Sequence, residues 1–287
     1  MAEKIEIEAE ADDASPPQTA ENALGYLKPK PERADDNVLV LSVLAGAFIA
    51  FGGLIFLATG AGAGTFSGGQ QLAAAVGFSV GLILCIVAGA ELFTGNTLLV
   101  VSGVEGHHRG RRIVRFWALV WGGNLAGSLA VAFLFVLAGG HLAGDGAVGL
   151  HALEVGDDKM GKGLVATFAS AILANMLVCL AVWMAQGART IPGRILAIVG
   201  PVAGFVVLGL EHSVANMSLL PVAGLIHAFA GSDFWQSAAL VGVAPESFGS
   251  IGLFAFLFNL VVATLGNIVG GAAIGLAYWY AYLRKDD

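Results

Sequence analysis

Residues able to do acid–base chemistry are scarce in the apolar body of this sequence, and three of them fall in one repeated box. "ELFTGN" (Glu91–Asn96) and "EHSVAN" (Glu211–Asn216) both read E-x-x-x-x-N, each inside a long apolar run. Glu91, Glu211 and His212 are the acidic, basic or His residues that lie away from the ends of such runs, with His227 nearer a boundary. An ionisable group at membrane depth costs about 2.5–3.5 kcal/mol on insertion scales, so each of these needs a partner or a wet cavity. Glu91 and Glu211 are equivalent, and their carboxylates are expected to accept backbone N–H groups freed where a helix breaks, with Asn96 and Asn216 closing each box. His212 has no counterpart, because Leu92 stands at the matching place. Beside a broken helix it reads as a pathway residue rather than a core imidazole bonded to a carbonyl. Thr94 stays open between a pathway hydroxyl and a threonine bonding its own helix at i−4. Cys85 and Cys179 lack the spacing of a zinc or redox motif and read as buried thiols.

The elements that must position these groups are membrane helices. Hydrophobic residues make up 57% of 287 and charged residues 12%, with a mean hydropathy of +0.80, far too apolar for a soluble domain of this length. Gly, at 41 residues, lets helices approach closely. Apolar stretches run over 38–60, 72–103, 116–140, 163–186, 195–230 and 251–283. A straight helix crosses in about 20 residues, so the second, fifth and sixth must tilt, protrude or break. Arg109, Arg111, Arg112, Arg115, Arg189, Arg194, Arg284 and Lys285 fall on one side, against Lys159 and Lys162 on the other, which predicts that both termini are cytoplasmic. "GNLAG" (Gly123–Gly127) in span three is matched by "GNIVG" (Gly266–Gly270) in span six, in the same order as the E-x-x-x-x-N boxes. Three spans per half imply an inverted repeat of three plus three. Residues 1–36 hold ten carboxylates against four Lys or Arg, and read as a disordered acidic cytoplasmic tail ahead of a channel domain over 37–287. No basic patch for nucleic acid is present.

These motifs resemble the formate/nitrite transporter family. "AELFTGN", "ILANMLVCLAVWM" (Ile172–Met184), "GLEHSVANM" (Gly209–Met217) and "TLGNIVGG" (Thr264–Gly271) look like its signatures, over a stretch from about residue 38 to the C-terminus. The resemblance implies an all-α, aquaporin-like protomer of six helices, with spans two and five interrupted, assembled as a homopentamer with one pore per protomer, and the expected location is the cell inner (cytoplasmic) membrane. It makes Thr94, Asn175 and His212 the polar centre and Lys159 the vestibule lysine, with Lys162 as a near neighbour that could substitute. Phe78, Leu82, Phe93, Val178 and Phe205 would line apolar constrictions. "LLPVAGL" and the 5–6 connection look closer to the formate-channel branch than to the nitrite or hydrosulfide branches.

The leading function is thus a non-enzymatic, cofactor-free channel for small weak-acid anions in a lipid bilayer. A haem-holding anchor subunit would need paired axial ligands on different spans, a hydrolase would need H-E-x-x-H or G-x-S-x-G, and a water or glycerol channel would carry N-P-A boxes. No H-E-x-x-H, no N-P-A box and no His pair on different spans occurs, and the single G-x-S-x-G match, "GFSVG" (Gly77–Gly81), lies inside the second apolar run rather than at a strand-to-helix turn. Protons enter through His212: relay from imidazolium to a carboxylate is uphill by roughly 3.5 kcal/mol in water, a gap that burial can close. Relay is the favoured expectation; the other is His212 as a plain hydrogen-bond donor. The acidic tail is expected to offer a site for a cytoplasmic regulator.

Overall fold

A computed structural model describes residues 13–62 and 68–284. The first twelve residues of the acidic tail lie outside the described residues. In chain order the helices are α1 (Pro16–Leu27), α2 (Asp35–Gly60), α3 (Gly68–Ile83) continued by a π turn (Leu84–Gly89), α4 (Phe93–Asn96), α5 (Val100–Val104), α6 (Gly110–Leu137), α7 (Ala147–Gly161), α8 (Leu164–Gly187), α9 (Ile191–Val207), α10 (Ser213–Phe229), α11 (Ser232–Ala239) and α12 (Leu253–Tyr278). No strand occurs among the described residues. Among the described residues five helices are long and apolar enough to cross a membrane: α2, α3 with its π turn, α6, α8 and α12 with its C-terminal extension. α9 is shorter, and α10 meets the same length only together with α11, from which it is bent by 99°.

Both over-long stretches that carry the boxes are broken where the boxes begin. The second stretch stops at Gly89 and resumes at Phe93; the fifth stops at Val207 and resumes at Ser213. Each break turns on a glycine two residues before its glutamate, Gly89 at φ +86° and Gly209 at φ +61°, a region that any Cβ would disfavour.

The halves pack alike. α2 lies against α3 and α6, and α8 lies against α9 and α12, while α3–α9 and α6–α10 contacts join the two sets. The small residues of the GNLAG and GNIVG motifs make this possible. A Cβ on Gly127 would fall 1.9 Å from Val43 O of α2, and one on Gly270 would fall 2.2 Å from Ile172 O of α8, so backbone meets backbone at equivalent places.

The reading of residues 1–36 as a disordered tail is corrected over its second half. Pro16–Leu27 is helical, with prolines in its first turn and the Ser15 N–H donating to Gln18 Oε1 at 3.0 Å. Ala20, Ala23 and Leu27 form its buried stripe. Ala14 N–H reaches Gly187 O at 2.9 Å and Asn22 reaches Gln186 O at 3.1 Å, docking α1 on the end of α8. A second element not foreseen is α7, a helix in the 3–4 connection that carries both Lys159 and Lys162.

Candidate functional site

At the first break the peptide groups on either side of Leu92 lose their helical partners, and one side chain takes both. Asn124 of α6 accepts the Phe93 N–H through Oδ1 at 2.8 Å and donates through Nδ2 to Glu91 O at 2.9 Å and Ser42 O at 2.8 Å. At the second break Asn267 of α12 does the same: Oδ1 accepts the Ser213 N–H at 2.8 Å, and Nδ2 donates to Glu211 O at 3.0 Å and Ala171 O at 2.7 Å. A buried backbone group left unpaired costs about 1–3 kcal/mol, so each asparagine offsets the penalty of opening a helix. These are the asparagines of "GNLAG" and "GNIVG". Their repetition was visible in the sequence, their task was not.

The glutamates therefore do not accept the freed backbone donors as expected. Their carboxylates bind side chains. Glu91 Oε2 takes Lys30 Nζ at 2.8 Å and Asn96 Nδ2 at 2.8 Å, and Oε1 takes Arg33. Glu211 Oε1 takes Lys162 Nζ at 2.9 Å and Lys159 Nζ at 3.2 Å, while Oε2 takes Asn216 Nδ2 at 2.7 Å and Asn259 Nδ2 at 3.2 Å. The physical reason is charge: a buried carboxylate needs a cation more than it needs an amide. Lys30, Arg33 and Asn259 were missed as members of these clusters. Lys30 is 61 residues from Glu91 and was counted as tail charge.

Lys159 and Lys162 also donate to Leu210 O at 3.2 Å and Gly209 O at 3.1 Å, the carbonyls just past the end of α9, where the helix dipole favours cations. Burial pulls the Lys159 ammonium below the ordinary lysine range, an effect that Glu211 only partly offsets. At Lys162 the burial penalty is outweighed by Glu211 and Asp158, which hold that ammonium above it. Lys159 lines a cavity of about 700 Å³ at the end of α2 remote from α1, together with Phe56, Gln70, His151, Glu154 and Asp158.

Between the breaks, His212 and Thr94 meet. His212 Nε2 lies 2.9 Å from Thr94 Oγ1, and its Nδ1 accepts the Ala215 N–H at 3.0 Å as the N-cap of α10. Because Nδ1 is an acceptor there, the proton of the neutral ring sits on Nε2 and is donated to Thr94. The Phe205 ring stacks on His212 with centroids 5.5 Å apart, and Phe78 meets Phe205 edge-on at 5.5 Å. Phe93 instead lies edge-on to Trp117 at 6.4 Å, while Leu82 and Val178 belong to the same buried core. Asn175 Nδ2 donates to Thr94 O at 3.2 Å, Thr97 Oγ1 at 2.9 Å and Asn267 O at 2.6 Å, so it ties the two breaks together from α8. Among the described residues Asn175 Oδ1 and Ser213 Oγ are buried without a hydrogen-bond partner. His227 is half-buried near the end of α10, with Nε2 3.2 Å from Pro245 O, and both cysteines are buried and free.

A family model described as "Formate/nitrite transporter" matches residues 17–280. The chain is 39% identical over 250 residues to the formate channel FocA of Escherichia coli K12, covering 86% of this chain and 87% of that one. It is 34% identical to the nitrite transporter NirC of the same organism, covering 84% and 82%. A solved structure described as a pentameric formate channel with formate bound superposes with a TM-score of 0.78 at 33% identity, covering 88% of this chain and 98% of that one.

Proposed function

This chain belongs to the formate/nitrite transporter family, and we propose that it is a membrane channel for small monovalent weak-acid anions, formate first and nitrite or hydrosulfide second, with no catalytic step of its own. The observation that carries the reading is the buried His212–Thr94 pair at 2.9 Å, set between the starts of α4 and α10 and beneath Phe78 and Phe205. Helix N-termini present partial positive charge and free N–H groups, a setting that favours an anion in an otherwise dry passage. The Nε2–H and the Thr94 hydroxyl add donors without adding a fixed charge that would trap it.

The Nδ1 contact bears on protons. To become imidazolium, His212 must protonate the nitrogen that now accepts the Ala215 N–H, which breaks the cap and sets two donors against each other at the positive end of α10. That cost favours a permanently neutral His212 acting as donor, with the anion passing as an ion, over the relay expected from sequence.

In this reading the two halves form an inverted repeat of three spans each, α9 and α10 together making the fifth, in an aquaporin-like protomer. The protomer occupies a homopentamer in the inner membrane with both termini cytoplasmic. Lys159 serves the vestibule opposite the termini, and Phe78, Leu82, Phe93, Val178 and Phe205 the constrictions. Glu91, Asn96, Glu211 and Asn216 are structural, and residues 1–12 of the acidic tail remain the place for a cytoplasmic regulator. Residues 37–287 form the channel unit, to which α1 is an attached collar rather than a loose tail.

Proteoliposome swelling tests the reading. Iso-osmotic formate and nitrite should enter and swell vesicles within seconds, formate faster, whereas gluconate should not. Equal swelling in glycerol and in formate would contradict an anion channel.

A further inference from the structure

The cavity that Lys159 shares is poorly suited to collecting anions. Glu154 and Asp158 line it, and the Lys159 ammonium is already engaged by Glu211. α2, α3 and α9 contribute no charged or titratable group to its lining among the described residues. At neutral pH the lining thus carries two carboxylates against one neutralised cation. His151 is the remaining titratable group there.

We propose that His151 is a proton-operated anion-admission site, its imidazolium offsetting the carboxylates of this vestibule and drawing monovalent anions toward the pore. The inference rests on the channel reading above and adds a residue and a control to it. Its geometry is the reverse of that of His212. His151 Nδ1 lies 3.0 Å from Leu57 O, and a carbonyl can only accept, so Nδ1 carries a proton in every state and Nε2 holds the lone pair. Among the described residues Nε2 has no hydrogen-bond partner. Protonating it breaks nothing. Leu57 is also one of the last four residues of α2, whose carbonyls lack helical partners and whose dipole favours a cation. The ring lies against Phe56 with centroids 5.5 Å apart and beside Gly60, where a Cβ would fall 2.2 Å from Cε1, so its position is fixed by packing. Glu154, one turn on along α7, and Asp158, two turns on, place two carboxylates on the same cavity, beside a Lys159 that is paired with Glu211. Of the two histidines, His212 accepts a backbone N–H at a helix start, and His151 donates to a carbonyl at a helix end.

The test measures initial uptake of formate, and in parallel nitrite, into proteoliposomes at external pH 5.5 and 7.5, which bracket the range where imidazole changes charge. Internal pH and ionic strength are held fixed. The readout is the ratio of the two rates within each protein, which cancels differences in expression or basal rate. One unit charge acting across several ångströms of water gives about a threefold gain in capture, so the wild-type ratio should exceed that of His151→Gln by about threefold. His151→Lys, charged at both pH values, should lose the same part of the ratio while showing a steeper fall of uptake with added salt at pH 7.5 than His151→Gln. Ratios equal to wild type in both variants, with flux intact, overturn the inference and leave the channel reading standing. No flux of either anion at either pH overturns the inference together with the reading it rests on.

Discussion

The two helix breaks solve one problem with different resources. At each, an asparagine from the third helix of its half takes the freed N–H and carbonyl, and a buried glutamate is clamped by the asparagine five residues later and by two cations. The cations differ in origin. Glu91 draws Lys30 and Arg33 from the segment after α1, whereas Glu211 draws Lys159 and Lys162 from α7. The residue after the glutamate differs too, Leu92 in one break and His212 in the other. What is shared is scaffolding, and what differs is where each break is anchored: the first to the segment after α1, the second to α7, with the two meeting at the Thr94–His212 contact.

The comparison is broken most forcefully by removing its anchors. Glu91→Ala and Glu211→Ala each strand two cations, and a buried pair deprived of one partner loses about 3–5 kcal/mol. Both should fail to give a stable oligomer in detergent by thermal unfolding. A large loss in one and none in the other would end the equivalence of the breaks. Next come Asn124→Ala and Asn267→Ala, expected to cost about 2–3 kcal/mol each by orphaning one N–H and one carbonyl at the break, with losses alike to within the error of the unfolding midpoint.

The cations sharpen the difference. Lys30 is 2% exposed and Lys162 is 24% exposed, so Lys30→Met should cost about 2 kcal/mol with Arg33 still in place, and Lys162→Met less than about 1 kcal/mol. Equal losses would show that burial does not separate the two clusters. The smallest effect is kinetic. Lys159→Ala should slow anion capture at low salt by less than the about threefold expected of a free unit charge, because Glu211 already pairs it, and converge on wild type at high salt. Since the Lys159 ammonium lies below the ordinary lysine range, its charge is lost earlier as pH rises. Capture in wild type should therefore decline at a lower alkaline pH than in Lys159→Arg, whose guanidinium stays charged; stopped-flow uptake across pH 8–10 reads this out.

Spacing made part of this legible in advance. Two E-x-x-x-x-N boxes and two GN motifs in one order are enough to locate the breaks and the helices that clasp them, because a repeated polar residue in an apolar run must meet a repeated need. The partners of the glutamates were not legible, since Lys30 and Lys159 lie 61 and 52 residues from the carboxylates they bind. Averaging charge over residues 1–36 hid the stripe Ala20–Ala23–Leu27, which at i, i+3 and i+7 is a helix face too short to stand out. His212 was singled out by type, but the direction of its Nδ1 bond, on which its protonation turns, exists only once α10 is placed.

That bond is the part of the account most open to direct attack. His212→Asn keeps a preferred N-cap acceptor for the Ala215 N–H and cannot titrate. Formate flux and current in proteoliposomes, recorded together with an internal pH dye from pH 5 to 8, separate a neutral donor from a proton relay. A neutral donor at His212 predicts a slower channel whose pH profile and proton-to-anion ratio match those of wild type. Loss of the proton-linked component in His212→Asn, with only an anion current left, would show that His212 relays protons and that its cap gives way during transport.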